Sequence, residues 1–135
     1  MIEKAQSTLP REAKGAIAPP PRLEGDLQAI VDAVSAWPGV EATTHWHFAD
    51  QSRIDGVDFY VGREELGHLH LDGSMHLATT PALSAELVGE GVGSPFTYAR
   101  GWTQARVSRL GVEGATAFFR RNYDRLRPGG DRAAA

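Results

Sequence analysis

Apolar residues recur every three to four positions over residues 23–37, where Leu27, Ile30, Val31 and Val34 fall at i, i+3, i+4 and i+7. That spacing places them on one face of a helix. Glu24 and Asp26 lie in its first turn, where negative charge suits the helix dipole, and Pro38-Gly39 ends it. The period then changes to two. VEATTHWHFA, residues 40–49, is rich in β-branched and aromatic residues and predicts a strand. DQSRIDG, residues 50–56, has turn composition. VDFYVG and EELGHLHLD predict a second and a third strand, with GREE as the tight connection between them. GSMHLAT predicts a fourth, or the third continuing past a bend at Gly73.

Pro81 opens a short helix over Ala82–Gly89, with Leu83 and Leu87 at i and i+4. GEGVGSP reads as a loop, and FTYARGWTQARVS as one or two strands broken at Gly101. The last helix spans Val112–Arg127. Its apolar stripe is Val112, Ala115, Phe119, Tyr123 and Leu126, with Arg120, Arg121 and Arg125 mostly outside it. Clustered strands with short connections, flanked by helices, predict a single α+β domain over residues 23–127. It has an antiparallel sheet of about four to six strands with helices on one face. Residues 1–22 end in Pro19-Pro20-Pro21 and are expected to form a flexible N-terminal arm. Residues 128–135, opening on Pro-Gly-Gly, are expected to fray.

Composition narrows the chemistry. A 135-residue chain is one domain in size and can bury a core without staples. It has no cysteine, which removes disulfides, thiolate nucleophiles and every cysteine metal site. With a formal net charge of -3, the chain as a whole has no pull toward nucleic acid or an anionic membrane. The arginines of the last helix read as a solvated face rather than a phosphate contact. The N-terminus has no apolar secretory segment, and no apolar run approaches membrane-spanning length. A cytoplasmic location is expected. No phosphate-cradling glycine loop lies between a strand and a helix, and no G-x-S-x-G elbow is present.

All five histidines lie within residues 45–76. Strict alternation puts His45 and His47 on one face of their strand, and His68 and His70, with Leu66, on one face of theirs. Trp46, Phe48, Leu69 and Leu71 would then face the helices and leave the histidines on an open sheet face. Two readings follow. In one, the imidazoles are half-polar residues bonded to backbone, carboxylate or water on a surface that holds a small ligand or a protein partner. In the other, some of them converge with Glu64, Glu65, Asp72 or His76 on a divalent metal. Zinc, nickel and ferrous iron all accept imidazole with carboxylate. In H-x-H the two rings share one side of a strand about 6.5–7 Å apart along it, which permits chelation. His68 and His70 are the candidate metal ligands. His45, His47, Arg63, Glu65, His68, His70, Asp72 and Trp102 are the candidate ligand-binding residues. Asp72-Gly73 is also turn chemistry, and Gly62-Arg63-Glu64-Glu65 also suits a charged hairpin at a sheet edge.

The run GVDFYVGREELGHLHLDGSMHLATTPALSAELVGEG, followed by GWTQARVS and a helix ending RRNYDRL, resembles the luciferase-domain family of small bacterial and fungal proteins. The matching positions are Gly62, Glu65, Leu66, Gly67, His68, His70, Asp72, Gly73, Pro81, Gly101, Trp102 and Tyr123, and the resemblance covers roughly residues 24–127. It implies a shared α+β fold and a shared ELGHLH feature, with no established reaction. The chain departs from the family after Glu90, where a histidine-containing loop is usual and GVGSPFTYAR has none. On these readings the leading function is a ligand- or partner-binding module with a histidine-lined sheet face. The alternative is a metal-dependent, oxidoreductase-like enzyme using His68 and His70 with a carboxylate.

Overall fold

Residues 11–127 are described by a computed structural model. The expected frayed tail, 128–135, and the first ten residues of the expected arm lie outside them. After a 3-10 turn at Arg11–Lys14, the elements are α1 (Gly25–Ser35), β1 (Val40–His47), β2 (Asp50–Val61), β3 (Glu64–His70), β4 (Ser74–Leu77), α2 (Pro81–Gly89), β5 (Ser94–Pro95), β6 (Thr103–Arg106) and α3 (Val107–Leu126). The strands form one six-stranded sheet in the order β1-β2-β3-β4-β6-β5. Every neighbouring pair is antiparallel. The architecture is α+β, as the pattern of elements predicts.

The core forms where the helical stripes meet one face of the sheet. Ile30, Val31 and Val34 of α1 and Ala115, Phe119, Tyr123 and Leu126 of α3 pack with Val57, Phe59, Leu66, Leu69, Met75 and Leu77. Fully burying one such large side chain stabilises the fold by about 1.5–3 kcal/mol. Leu83 and Leu87 of α2 complete the cluster, and Thr80 caps that helix by accepting from the Leu83 N–H at 3.2 Å.

Several local expectations change. Residues 50–56 belong to β2, and the chain reverses just before them, at Phe48 and Ala49. Their polar composition reflects exposure: Asp50–Ile54 project past the core with no layer against either face. Only Thr103–Arg106 of the stretch 96–108 is strand, while Val107 and Ser108 start α3. That helix breaks at Gly111, which adopts φ 73° and ψ 177°. Trp46, Phe48 and Leu71 do not pack under the helices. Phe48 and Leu71 are exposed, and Trp46 donates its indole N–H to the Ala16 carbonyl at 2.7 Å. Ala16 belongs to the segment expected to be flexible. Residues 16–19 lie along β1, where Thr44 donates its N–H to the Ala18 carbonyl and its hydroxyl to the Pro19 carbonyl.

The change with most consequence is at Leu66. Tyr60 pairs with Glu65 and Phe59 with Gly67, so Leu66 is the extra residue of a β-bulge. The bulge turns Leu66 into the core, away from the histidine side expected for it. The wholly buried Asn122 amide holds the bulge, donating to the carbonyls of Leu66 and Ala78 at 3.0 Å each.

Candidate functional site

On the sheet face opposite the helices, register alone assembles a cluster. Thr43 pairs with Asp58, Asp58 with His68, and His68 with His76. In the next row His45 pairs with Gly56 and Gly56 with His70. Directly opposed residues share a face, so five ionisable side chains from four strands meet. Gly56 carries no side chain between its neighbours, and the His45 and His70 rings meet there with centroids 4.9 Å apart. The bulge adds Glu65. In a regular strand a residue three positions before His68 points the other way. With the extra residue inserted, Glu65 turns to the histidine side, and its Oε2 lies 2.9 Å from His68 Nδ1.

The face is not open. His45, His68, His70 and His76 are all buried, none more than 9% exposed. Phe96 stacks on His76 with ring centroids 3.9 Å apart, and Trp102 lies 5.7 Å from His68. On the other side Lys14 enters from the N-terminal segment. Its Nζ lies 2.6 Å from Glu65 Oε1, 3.0 Å from the Tyr60 hydroxyl and 3.7 Å from Asp58 Oδ2.

Each inner histidine has one nitrogen tied to a carboxylate. His68 Nδ1 faces Glu65, His70 Nδ1 lies 2.8 Å from Asp55 Oδ2, and His45 Nδ1 lies 2.7 Å from Asp58 Oδ1. An ionised carboxylate only accepts, so the Nδ1 atoms carry the hydrogens and, in a neutral ring, Nε2 is left as a lone pair. The Nε2 atoms of His68 and His70 both point at His76 Nδ1, at 3.0 Å each. His76 can place at most one hydrogen there. Two or three lone pairs therefore face one another in a site shielded from water.

Two groups of side chains have atoms spaced to hold a metal ion, among the described residues. His45, His68 and His70 have ligand nitrogens within 4.8 Å of one another, as do the ligand atoms of Asp58, Glu65 and His68. His76 stands beside the first group, its Nδ1 3.0 Å from Nε2 of both His68 and His70. The carboxylates behind His68 and His70 supply the outer hydrogen bonds that orient metal-binding imidazoles.

Protonation follows the same geometry. Burial, joined by the neighbouring imidazoles, holds His68 well below the ordinary histidine range, lowers His70 against the pull of Asp55, and brings His76 down to about 3. Burial also opposes charge on His45, but the Asp58 carboxylate outweighs it and raises that ring. Burial opposes the Lys14 ammonium too, yet Glu65 and Asp58 raise it overall. Burial, then repulsion from Glu65, pushes the Tyr60 hydroxyl up to about 12.

A pH dependence follows. The unfolded chain protonates these rings as pH falls through about 6.5, whereas the folded chain resists, His76 down to about 3. The unfolded state thus binds more protons between those values, and stability falls with pH across that window. His45 acts in the opposite sense: its contribution is present below about 6.5 and is lost as pH rises through its raised folded value. Metal-free protein is expected to lose about 2 kcal/mol or more between pH 7 and pH 5. Urea midpoints at the two pH values measure this, and equal midpoints would contradict it.

The sequence-selected residues separate. His45, Glu65, His68 and His70 come together, with Trp102 beside them. His47 sits at the β1–β2 turn, where the register shifts around Trp46. It stacks on Phe48 and accepts from the Ala49 N–H. Arg63 is exposed at the β2–β3 turn. Asp72 accepts from the N–H and hydroxyl of Ser74, and Asp55 takes the place beside His70. Arg120 and Arg121 of α3 are paired with Asp124 and Glu90. Sequence reasoning missed Asp55, Asp58, Phe96 and Lys14. Asp58 left a signal, a lone charge inside the apolar run VDFYV; Lys14 left none.

Beyond His76 the same face continues into a cleft of about 570 Å³. Its lining includes Ser74, Ser94, Gln104, Arg106 and Arg109, and Gln104 is the cross-strand partner of His76.

The fold and site thus define a small α+β domain with a buried histidine–carboxylate cluster on the sheet face opposite its helices. Residues 63–113 match the family model described as Luciferase domain, in line with the ELGHLH resemblance. No curated protein and no solved structure matches the chain. The matched segment contains Glu65, His68, His70, His76 and Trp102, while His45, Asp55 and Asp58 lie before it. Among the described residues, no helix is long and apolar enough to cross a membrane.

Proposed function

We propose that this protein binds a divalent transition metal through His45, His68 and His70, with His76 beside them. The observation that carries this reading is three buried imidazoles whose ligand nitrogens lie within 4.8 Å of one another. Each has a carboxylate at its Nδ1, which leaves Nε2 as the lone pair of the neutral ring. Burial holds His68 and His70 below the ordinary histidine range, so their lone pairs stay free of protons near neutral pH. Nitrogen ligands with carboxylates behind them suit zinc, nickel or ferrous iron. A bound ion would supply Lewis acidity, while Asp55 and Glu65 orient the rings and Phe96 excludes water.

This reading replaces the open, histidine-lined docking surface as the leading one, because buried rings cannot meet a partner directly. A catalytic use of the centre is the second reading. It is favoured by the cleft next to His76, where Arg106 and Arg109 suit a small anionic ligand.

The test is cobalt(II) titration of metal-stripped protein, followed by its visible absorption. Strong bands that saturate at one equivalent, and are absent in His70→Ala, are the expected result. A spectrum no different from cobalt in buffer would dispose of the reading. Azide added to the loaded protein tests access, since a shifted spectrum requires a coordination position open to small anions.

A further inference from the structure

Lys14 occupies a position that the proposed histidine centre does not need. A lysine ammonium is costly to bury, and apolar replacements for buried ion pairs are often neutral or better for stability. Here it is drawn into a pocket with a defined donor set. Asp58 and Glu65 present carboxylate oxygens, His68 presents Nδ1, and these ligand atoms lie within 4.8 Å of one another. The Lys14 ammonium is 2.6 Å from one carboxylate and 3.7 Å from the other. The same imidazole looks both ways: Nδ1 faces this acidic pocket and Nε2 faces His76. Two carboxylates with one imidazole is a donor set that suits a divalent metal.

The segment that delivers Lys14 is held largely from outside the pocket. Arg11 pairs with the exposed Glu41 at 2.9 Å, and Ala16, Ala18 and Pro19 offer carbonyls to Trp46 and Thr44 along the edge strand β1. Gln51 of β2 also reaches the Ala13 carbonyl and Arg11 lies over the Tyr60 ring, but none of these contacts belongs to the sheet's own ladder, so the segment can lift while the strands stay paired.

We propose that Asp58, Glu65 and His68 form a second divalent-cation site, next to the histidine centre, which the Lys14 ammonium fills from within and for which a metal ion competes. His68 links the two positions, and a second ion displaces to solvent the hydrogen that Nδ1 shares with Glu65, leaving the ring as a bridging imidazolate. The N-terminal segment is then a built-in stand-in for the second ion. Its docking and the binding of that ion exclude each other. The inference rests on the histidine-centre reading only in sharing His68.

The experiment uses the full chain, stripped of metal and titrated with zinc at pH 7, with elemental analysis after desalting. Wild type and Lys14→Arg are expected to retain one equivalent, and Lys14→Met two. The second equivalent should vanish in Lys14→Met/Glu65→Gln. One equivalent in both wild type and Lys14→Met overturns the second site and leaves the histidine centre standing. None in wild type and one in Lys14→Met supports the second site and sinks the histidine centre. Should Lys14→Met not fold, wild type is labelled with an amine reagent with and without millimolar zinc. At least a tenfold rise in Lys14 modification is expected, and an unchanged rate overturns the proposal.

Discussion

Alanine at position 68 is expected to weaken zinc binding by about a thousand-fold or more, while His47→Ala changes it less than about two-fold. His68 meets His76 through Nε2, meets Glu65 through Nδ1, and stacks on His45 with ring centroids 4.0 Å apart. Its loss removes an inward nitrogen and the wall between the imidazole group and the acidic pocket. His47 has the same residue type and lies two positions from His45, yet at the β1–β2 turn it can contribute nothing. A graded intermediate belongs between them. Asp55→Asn keeps the shape beside His70 but weakens the acceptor that sets its tautomer. A loss of about 10–100-fold is expected, the usual range for outer hydrogen-bond partners of metal ligands. Competition with a chromophoric chelator measures all three. Equal affinity in His68→Ala and wild type would refute the assignment of that ring.

Gly56→Ala is expected to destabilise the domain by about 3–5 kcal/mol, a large fraction of the about 5–15 kcal/mol that holds such a domain together. Gly56 adopts φ 152°, and a Cβ there would lie 2.0 Å from the Leu69 carbonyl oxygen and 2.9 Å from His70 Cα. Both obstacles are backbone of a central strand, so no side chain can swing aside. The strands must part, and the gap through which His45 and His70 meet would close. Gly62→Ala is the control. It also has a positive φ, 64°, but nothing lies within 4 Å of its Cβ position, so a cost of about 1–2 kcal/mol is expected. Urea unfolding of both variants separates steric obstruction from backbone strain. Equal losses would show that the close approach of β2 and β3 at Gly56 does not matter.

Much of the fold was legible because its helices carry clean stripes. Ile30, Val31 and Val34, and Ala115, Phe119, Tyr123 and Leu126, are buried as their spacing predicts. Where the prediction of β2 failed, the cause is definite. Composition reports the surroundings of a strand as well as its backbone, and Asp50–Ile54 are polar because no layer covers them. The site was legible in part. The H-x-H of β3 and the confinement of histidines to one region pointed to the right place. Of the misplaced residues, His47 and Leu66 lie where a register irregularity breaks the period of two on which face assignment depends, while Arg63 and Asp72 fall in turns.

By itself the sequence determined the α+β class, the helical faces of the core, the absence of thiol chemistry and the histidine-rich strand. All of these depend on residue type and on spacing along a single element. Tertiary structure decided which carboxylate serves which imidazole, that Glu65 rather than Leu66 faces His68, that Lys14 reaches the pocket from over forty residues away in sequence, and that the face is covered. Such pairings are set by strand register, by one inserted residue and by where the N-terminal segment lies. A shift of a single residue in a strand's register would send the same side chains to the opposite side of the sheet.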